Sequence, residues 1–406
     1  MDAQQLLQEA QNQSDYLRSA YRTLHQCPEI GFTLPKTLSF VRHQLQQMGL
    51  EAKNCGKAGL SVCIGHEHPG PTVLLRADMD ALPLREESGL AFAADNGHMH
   101  ACGHDMHTAM LLGAAQLLKS HQAQLRGCVK LMFQPSEEDL QGAKDMLEAG
   151  ILTAPKVDAA ITLHVLTGLE DPIGTLLVSA PGISAPAADF FEIHLQGRGC
   201  HGSMPHTGID PLTAAAHLLL GLQSIHAREL PMGERAALTI GSLQAGTAPN
   251  AIPDSVFMRG TLRSFDENSR QFIKQRLMDI SHSCAKSFRS RAKIHFSSTC
   301  PALKNDETLS RRVFSYAAEL LGEHRCRLIS ADGGGGGSED FAWISREVPS
   351  LMLMLCAGNA EQGCPYPPHH PKVRFDESVL PLGSAVYTWT ALRWLEENAK
   401  NKQGQR

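Results

Sequence analysis

The chain has 406 residues, 42% of them hydrophobic and 19% charged, with a net charge of -5. That length exceeds one comfortable core and calls for two domains, while the missing basic field makes nucleic acid and anionic membrane poor partners. Eleven scattered cysteines, an odd number, fit reduced thiols in a cytoplasm better than a disulfide framework. No apolar run reaches membrane-span length, and the polar first ten residues lack the basic and apolar regions of a signal peptide.

In chain order, residues 2–47 read as two helices around a turn at Cys27-Pro28-Glu29, the second with Leu38, Phe40, Val41 and Leu45 on one face. Apolar runs at 60–64 and 72–78, bounded by Gly or Pro, read as buried strands. A histidine-rich stretch at 98–107 precedes a helix expected over 108–121. Strands follow at 127–134 and 159–164, with a helix over 142–149 between them. Strands alternating with helices predict a doubly wound α/β sheet, in which ligands collect beyond the carboxyl ends of the strands.

From about residue 187 the texture changes. Strand 189–195, helix 211–225, strands 237–241 and 256–262, helix 266–288 and strand 292–296 form the strand-helix-strand-strand-helix-strand order of a ferredoxin-like unit. We therefore expect an inserted domain over 187–297, between catalytic segments 1–186 and 298–406. In the last segment a helix is expected over 308–321, a strand over 349–355 and a closing helix over 378–397. The glycine run 333–337 reads as a flexible connection.

The chemistry concentrates in His98-Met99-His100-Ala101-Cys102-Gly103-His104-Asp105-Met106-His107. Imidazole, thiolate and carboxylate are donors for a Zn²⁺-like cation; the spacing is not that of a zinc finger, and a histidine-rich loop that binds nothing is the alternative. Asp105 could ligate or brace a histidine. Glu137-Glu138 follow a strand, where neighbouring side chains point to opposite sides, so one could ligate while the other faces a water; an acidic first helical turn is the competing reading. His164, at a strand end, and His369-His370, after a Pro-rich turn, are weak singly. Together these donors make a two-metal site plausible.

Seven segments, in order, resemble the M20 metallopeptidases: Arg76-Ala77-Asp78-Met79-Asp80-Ala81-Leu82-Pro83, Met99-His100-Ala101-Cys102-Gly103-His104-Asp105, Gln134-Pro135-Ser136-Glu137-Glu138, Gly202-Ser203-Met204-Pro205-His206, Gly260-Thr261-Leu262-Arg263, Gly337-Ser338-Glu339-Asp340-Phe341 and His369-His370-Pro371. The resemblance is to the branch of aminoacylases, hippurate hydrolases and auxin-conjugate amidohydrolases. It implies a zinc-peptidase-like dimetal α/β catalytic domain with an inserted ferredoxin-like lid that mediates a homodimer.

It also implies two divalent ions per subunit, Zn²⁺ or Mn²⁺ with Co²⁺ and Ni²⁺ as further candidates, held by Cys102, His104, Glu138, His164 and His369. Arg76 stands where other branches carry a metal-binding histidine. Glu137 is the implied general base, removing a proton from a water activated between the cations, and Asp78 orients a ligand. His201 is the implied oxyanion donor of the lid, with local backbone capping as its alternative. Asn250 and Arg263 are the implied holders of the substrate carboxylate, an ordinary surface ion pair being the alternative for Arg263. The implied reaction is hydrolysis of an N-acyl amino acid or similar small amide. A dipeptidase or carboxypeptidase of the same fold, or a metal-bound binding protein without turnover, are the alternatives.

Overall fold

A computed structural model describes residues 2–65, 67–330 and 337–403. The glycine run, apart from Gly337, lies outside the described residues. The chain divides into two compact units, residues 2–184, 304–330 and 340–403 in the first and 185–303 with 337–339 in the second.

The first unit opens with three helices, α1 (Ala3–Gln11), α2 (Ser14–His25) and α3 (Pro35–Gln47). Two helices were expected before residue 47. The extra break falls at Asn12-Gln13, where Asn12 caps α1 and neither Gly nor Pro signals an end. Strands β1 (Lys53–Cys55), β2 (Gly59–Ile64) and β3 (Thr72–Asp78) follow, then α4 (His104–Ser120), β4 (Cys128–Gln134), α5 (Gly142–Glu148), β5 (Ala159–Leu166), β6 (Leu176–Ser179) and β7 (Gly182–Ala185). The second unit holds β8 (Ala187–Gln196), β9 (Cys200–His201), α6 (Pro211–Ser224), β10 (Ala236–Ala245), β11 (Ala251–Ile252), β12 (Ser255–Ser264), α7 (Glu267–Ser287) and β13 (Arg291–Cys300). The chain continues through β14 (Leu303–Asn305), α8 (Glu307–Leu321), β15 (Cys326–Ile329), α9 (Ala342–Ser345), β16 (Ser350–Cys356) and α10 (Leu380–Gln403).

The first unit is built on an eight-stranded sheet in the order β1-β2-β4-β3-β5-β16-β6-β15. Its centre, β4-β3-β5-β16, is parallel, while β1, β2 and β6 join antiparallel to a neighbour. A central parallel strand is covered on both faces and so reads as a continuous apolar run. Every residue of β3 is buried, including Arg76 and Asp78. Helices α4 and α10 pack on β3 and on one another through a core that includes Met110, Leu111, Tyr387 and Leu395.

The second unit is a four-stranded antiparallel sheet, β10-β12-β8-β13. Along β8, Phe191, Ile193 and Leu195 are buried whereas Phe190 and Gln196 are exposed, the period-two pattern of a sheet covered on one face. The covering elements are α6 and α7, through Leu218, Leu222, Ile273 and Leu277. Asp210 and Asp266 cap these helices, accepting from backbone N–H groups of the first turn. No described helix is long and apolar enough to cross a membrane.

Candidate metal centre

The site forms where three parallel strands end. Beyond β3, Gly103 turns the chain into α4 with φ +86, and a Cβ there would lie 2.4 Å from Val165 Cγ2, so only glycine permits this approach. That turn starts α4 at His104 instead of near residue 108. The second half of the histidine stretch is therefore the buried first turn of a helix, with its polar groups facing inward. Beyond β4, Ser136 adopts φ +54, and the backbone N–H groups of Glu137 and Glu138 donate to Asp80 Oδ1 and Oδ2 at 3.0 and 3.1 Å. Strand alternation does not position these two carboxylates, as the sequence suggested; a turn pinned by Asp80 does.

Cys102 Sγ lies 3.3 Å from His164 Nε2 and 3.3 Å from His369 Nε2. His369 Nε2 is 3.4 Å from Glu138 Oε1, and His104 Nε2 is 3.9 Å from Glu138 Oε1 and 4.0 Å from Glu137 Oε2. Cys102-His104-His164, Cys102-Glu138-His369 and His104-Glu137-Glu138 each bring their donor atoms within 4.8 Å of one another. His104 Nδ1 donates to the Asp80 carbonyl at 2.8 Å and His164 Nδ1 to the Val165 carbonyl at 2.6 Å. Anchoring Nδ1 on a backbone carbonyl aims each Nε2 into the cluster, where an incoming cation would take the place of the Nε2 proton.

Among the described residues, two buried atoms there lack a well-formed hydrogen bond: His104 Nε2, and Glu138 Oε1, which has only His369 Nε2 at 3.4 Å. A buried polar atom without a good partner is costly, and a divalent cation would satisfy both. The sulfur, nitrogen and oxygen donors fit such an ion.

His369, with φ +67, turns its ring toward Cys102 and Glu138, whereas His370 stacks on Tyr366 at 4.1 Å between ring centres. Asp105 neither ligates nor touches a ligating histidine: its Oδ2 takes the Nδ1–H of His25 at 2.6 Å, and His25 Nε2 lies 3.1 Å from Glu86 Oε1.

Burial would raise the Cys102 thiol, yet His164 and His104 hold it down to about 6. Hydrogen bonds to Cys102 and Glu138 raise His369 to about 10. Burial opposes the charged form of His104, but Asp78 and Cys102 hold its pKa well above the ordinary value. For Asp78, burial works against the carboxylate, and Arg76, His104 and His107 overcome it, leaving its pKa well below the usual range. The cluster thus holds a thiolate, carboxylates and protonated imidazoles, and a cation entering it would displace protons.

Four contributors stand inside segments quoted from the sequence without a role assigned to them there. Asp80 stands two residues after Asp78, within the same motif, and holds the Glu137-Glu138 turn. His107 donates from Nδ1 to Asp78 Oδ1 at 2.6 Å while its Nε2 accepts the Val165 N–H at 2.8 Å, so both nitrogens are engaged and burial lowers its pKa to about 3. Gln134 and Asp340 complete the shell around Arg76: Gln134 Oε1 accepts from Nε at 2.9 Å and Asp340 Oδ1 from Nη2 at 3.1 Å. The Asp340 backbone N–H reaches Glu137 Oε1 at 3.4 Å.

The remaining predicted residues lie in the second unit. His201, on β9, pairs with Ala251 of β11, and the Gly202 N–H donates to the Asn250 carbonyl at 2.8 Å. His201 Nδ1 accepts the Ser203 N–H at 3.2 Å, which selects the tautomer with the proton on Nε2. Arg263 lies elsewhere, bonded to Ser338 Oγ and 5.7 Å from the Phe190 ring centre. It sits near the end of β12 remote from β11; eight residues beyond Ser255 is roughly 26 Å of strand.

Residues 74–393 match the sequence model of Peptidase family M20/M25/M40. The chain is 35% identical over 384 residues to the N-acetyl-L-cysteine deacetylase of Bacillus subtilis, covering 94% of this chain and 88% of that protein. It is 34% identical to IAA-amino acid hydrolase ILR1-like 5 of Arabidopsis thaliana, over 95% of this chain and 88% of that one. Among solved structures, the YXEP protein of Bacillus subtilis, described as a dinuclear metal binding peptidase from the M20 family, superposes with a TM-score of 0.78 at 32% identity. That match covers 95% of this chain and 99% of the other.

Proposed function

Because this chain belongs to Peptidase family M20/M25/M40, we propose that it is a metal-dependent amidohydrolase that cleaves N-acyl amino acids into a carboxylic acid and a free amino acid. Two divalent ions, held by Cys102, His104, Glu138, His164 and His369, would supply Lewis acidity toward a water and toward the amide carbonyl. The observation that carries this reading is the pair of poorly satisfied buried atoms, His104 Nε2 and Glu138 Oε1, inside the mixed donor cluster. Zn²⁺ and Mn²⁺ both suit that donor set, with Co²⁺ and Ni²⁺ as further candidates, and availability decides among them.

Glu137 is the general base. Its carboxylate stands beside His104 without being needed as a ligand, and the Asp340 N–H steadies one of its oxygens. It takes a proton from the attacking water and returns it to the amine nitrogen as the C–N bond breaks, so one water is consumed for each acid and amine formed. Asp78, locked between Arg76 and His107, fixes the face of the site on which His104 sits.

The inserted unit serves as lid and dimerisation domain. His201 donates from Nε2 to the developing oxyanion, while Asn250 and Arg263 hold the substrate carboxylate. The distance along β12 between Arg263 and the paired strands β9 and β11 supports their coming from different subunits of a homodimer. So does the exposed apolar stripe Leu212, Ala216 and Leu220 on α6. The free thiols support a reducing compartment such as the cytoplasm.

The test is hydrolysis of N-acetyl, N-benzoyl and indole-acetyl amino acids by chelated protein reconstituted in turn with Zn²⁺, Mn²⁺ and Co²⁺. Metal-restored cleavage of one subset supports the reading and identifies the acyl pocket. No cleavage across the panel with metal bound overturns it.

A further inference from the structure

The catalytic unit contains a cavity of about 500 Å³ that shares no residue with the metal centre. It sits toward the opposite end of β4: Cys128 and Lys130 open that strand, whereas Glu137 follows its end. Cys63 of β2 is in register with Lys130, so Cys63, Lys130 and Cys128 share one face of the sheet. Cys63, Cys55 and Lys130 line the cavity with Lys53, Lys119 and Glu51, three cations against one carboxylate.

Lys130 is 3% exposed, and its ammonium donates to the carbonyl oxygens of Ile151, Thr153 and Pro155 at 2.8, 2.6 and 3.1 Å. Three carbonyls occupy its donors but bring no formal negative charge. Burial lowers the Lys130 pKa, and among the described residues the ionisable groups that oppose this and favour its charged form are thiols, Cys63 first, then Cys128 and Cys55. Cys128 is hydrogen-bonded to Cys63. A thiol beside a buried cation, with a second thiol as hydrogen-bond partner, favours the thiolate, and the thiolate is the nucleophile.

We propose that Cys63 is a reactive thiol and that this cavity is a modification site for small, negatively charged disulfides. The Cys63 thiolate attacks one sulfur of the small disulfide; a protein–ligand S–S bond forms, the ligand's own S–S bond breaks, and its other half leaves as a thiolate. The incoming disulfide is the oxidant, so the exchange balances without another reagent. Lys53 and Lys119 supply the preference for an anion. Cys128 stands two residues out of register with Cys63, a diagonal of about 7–8 Å between backbones. The proposal places the ligand's half on Cys63 as a mixed disulfide, with Cys128 as its hydrogen-bond partner and not its disulfide partner.

The test treats the full-length protein with oxidised glutathione, which carries carboxylates, or with the cationic disulfide cystamine, and maps modified cysteines by peptide mass spectrometry. Cys63 is expected to react about tenfold faster than the other half-buried thiols, Cys27, Cys200 and Cys284, and faster with glutathione disulfide than with cystamine. Lys130→Met is expected to slow it about tenfold. Should that variant fail to fold, the double variant Lys53→Gln/Lys119→Gln is expected to abolish the preference between the two disulfides. Cys63 reacting no faster than the other three, an unchanged preference in the double variant, or an internal Cys63–Cys128 disulfide as the product would each overturn the proposal.

Discussion

Arg76 and Asp78, two residues apart on a wholly buried strand, face one another with Nη1 2.6 Å from Oδ2. The same guanidinium meets Asp340, and Asp78 meets His107. One buried cation therefore ties β3 to the segment carrying Asp340 and, through Asp78, to the first turn of α4.

Removing that cation takes the shared guanidinium from two buried carboxylates, Asp78 and Asp340. Breaking one side of a buried ion pair costs about 3–5 kcal/mol, so Arg76→Met is expected to unfold at a clearly lower denaturant concentration than the parent. A midpoint equal to wild type in urea unfolding would show that the network contributes no stability.

Asp78→Asn keeps the shape but weakens the grip on His107 and the field at His104. Loss of such outer partners lowers metal affinity about 10- to 100-fold. Competition against a chelator reads the change directly, and wild-type affinity in this variant would remove Asp78 from the orienting role.

His25 gives a pH signature remote from the cations. Burial disfavours its charged form, but Asp105 and Glu86 raise its pKa to about 10, while both carboxyls are lowered. A raised histidine contributes stability fully below its unfolded pKa of about 6.5, and that contribution fades as pH rises through about 10. The stability gap between wild type and His25→Ala should therefore be largest near pH 6 and shrink by pH 10. A gap that widens with pH in denaturant titrations would contradict the charged assignment.

Proton release accompanies metal binding if His104 and His369 are protonated without metal, as their raised values require. Affinity should then rise with pH across the neutral range. Calorimetry in buffers of different ionisation enthalpy counts the protons, and a buffer-independent heat would deny the coupling.

Much of the fold was legible because the central strands advertise themselves. The runs at 72–78 and 128–134 are apolar and short, and the centre of the first sheet and the four long strands of the second followed from their spacing, whereas the short strands β1, β6 and β15 did not. What failed to show was set by single backbone conformations. Gly103 starts α4 four residues early, and Ser136, at positive φ, converts a supposed strand alternation into a turn held by Asp80. Asp105 looked like a ligand because it adjoins His104, yet its partner, His25, is eighty residues away. Short strands such as β9 and β11 had too few residues to display a period. Asn250 and Arg263 were paired by motif alone, and the length of β12 separates them within one chain.

The central claim is that Glu137 moves the proton while its neighbour Glu138 holds metal. Glu137→Gln keeps the shape and removes the base, so turnover of a cleaved N-acyl amino acid should fall by about 10²- to 10⁴-fold with two equivalents of metal still bound. Full turnover in that variant, or loss of metal along with activity, would contradict the account.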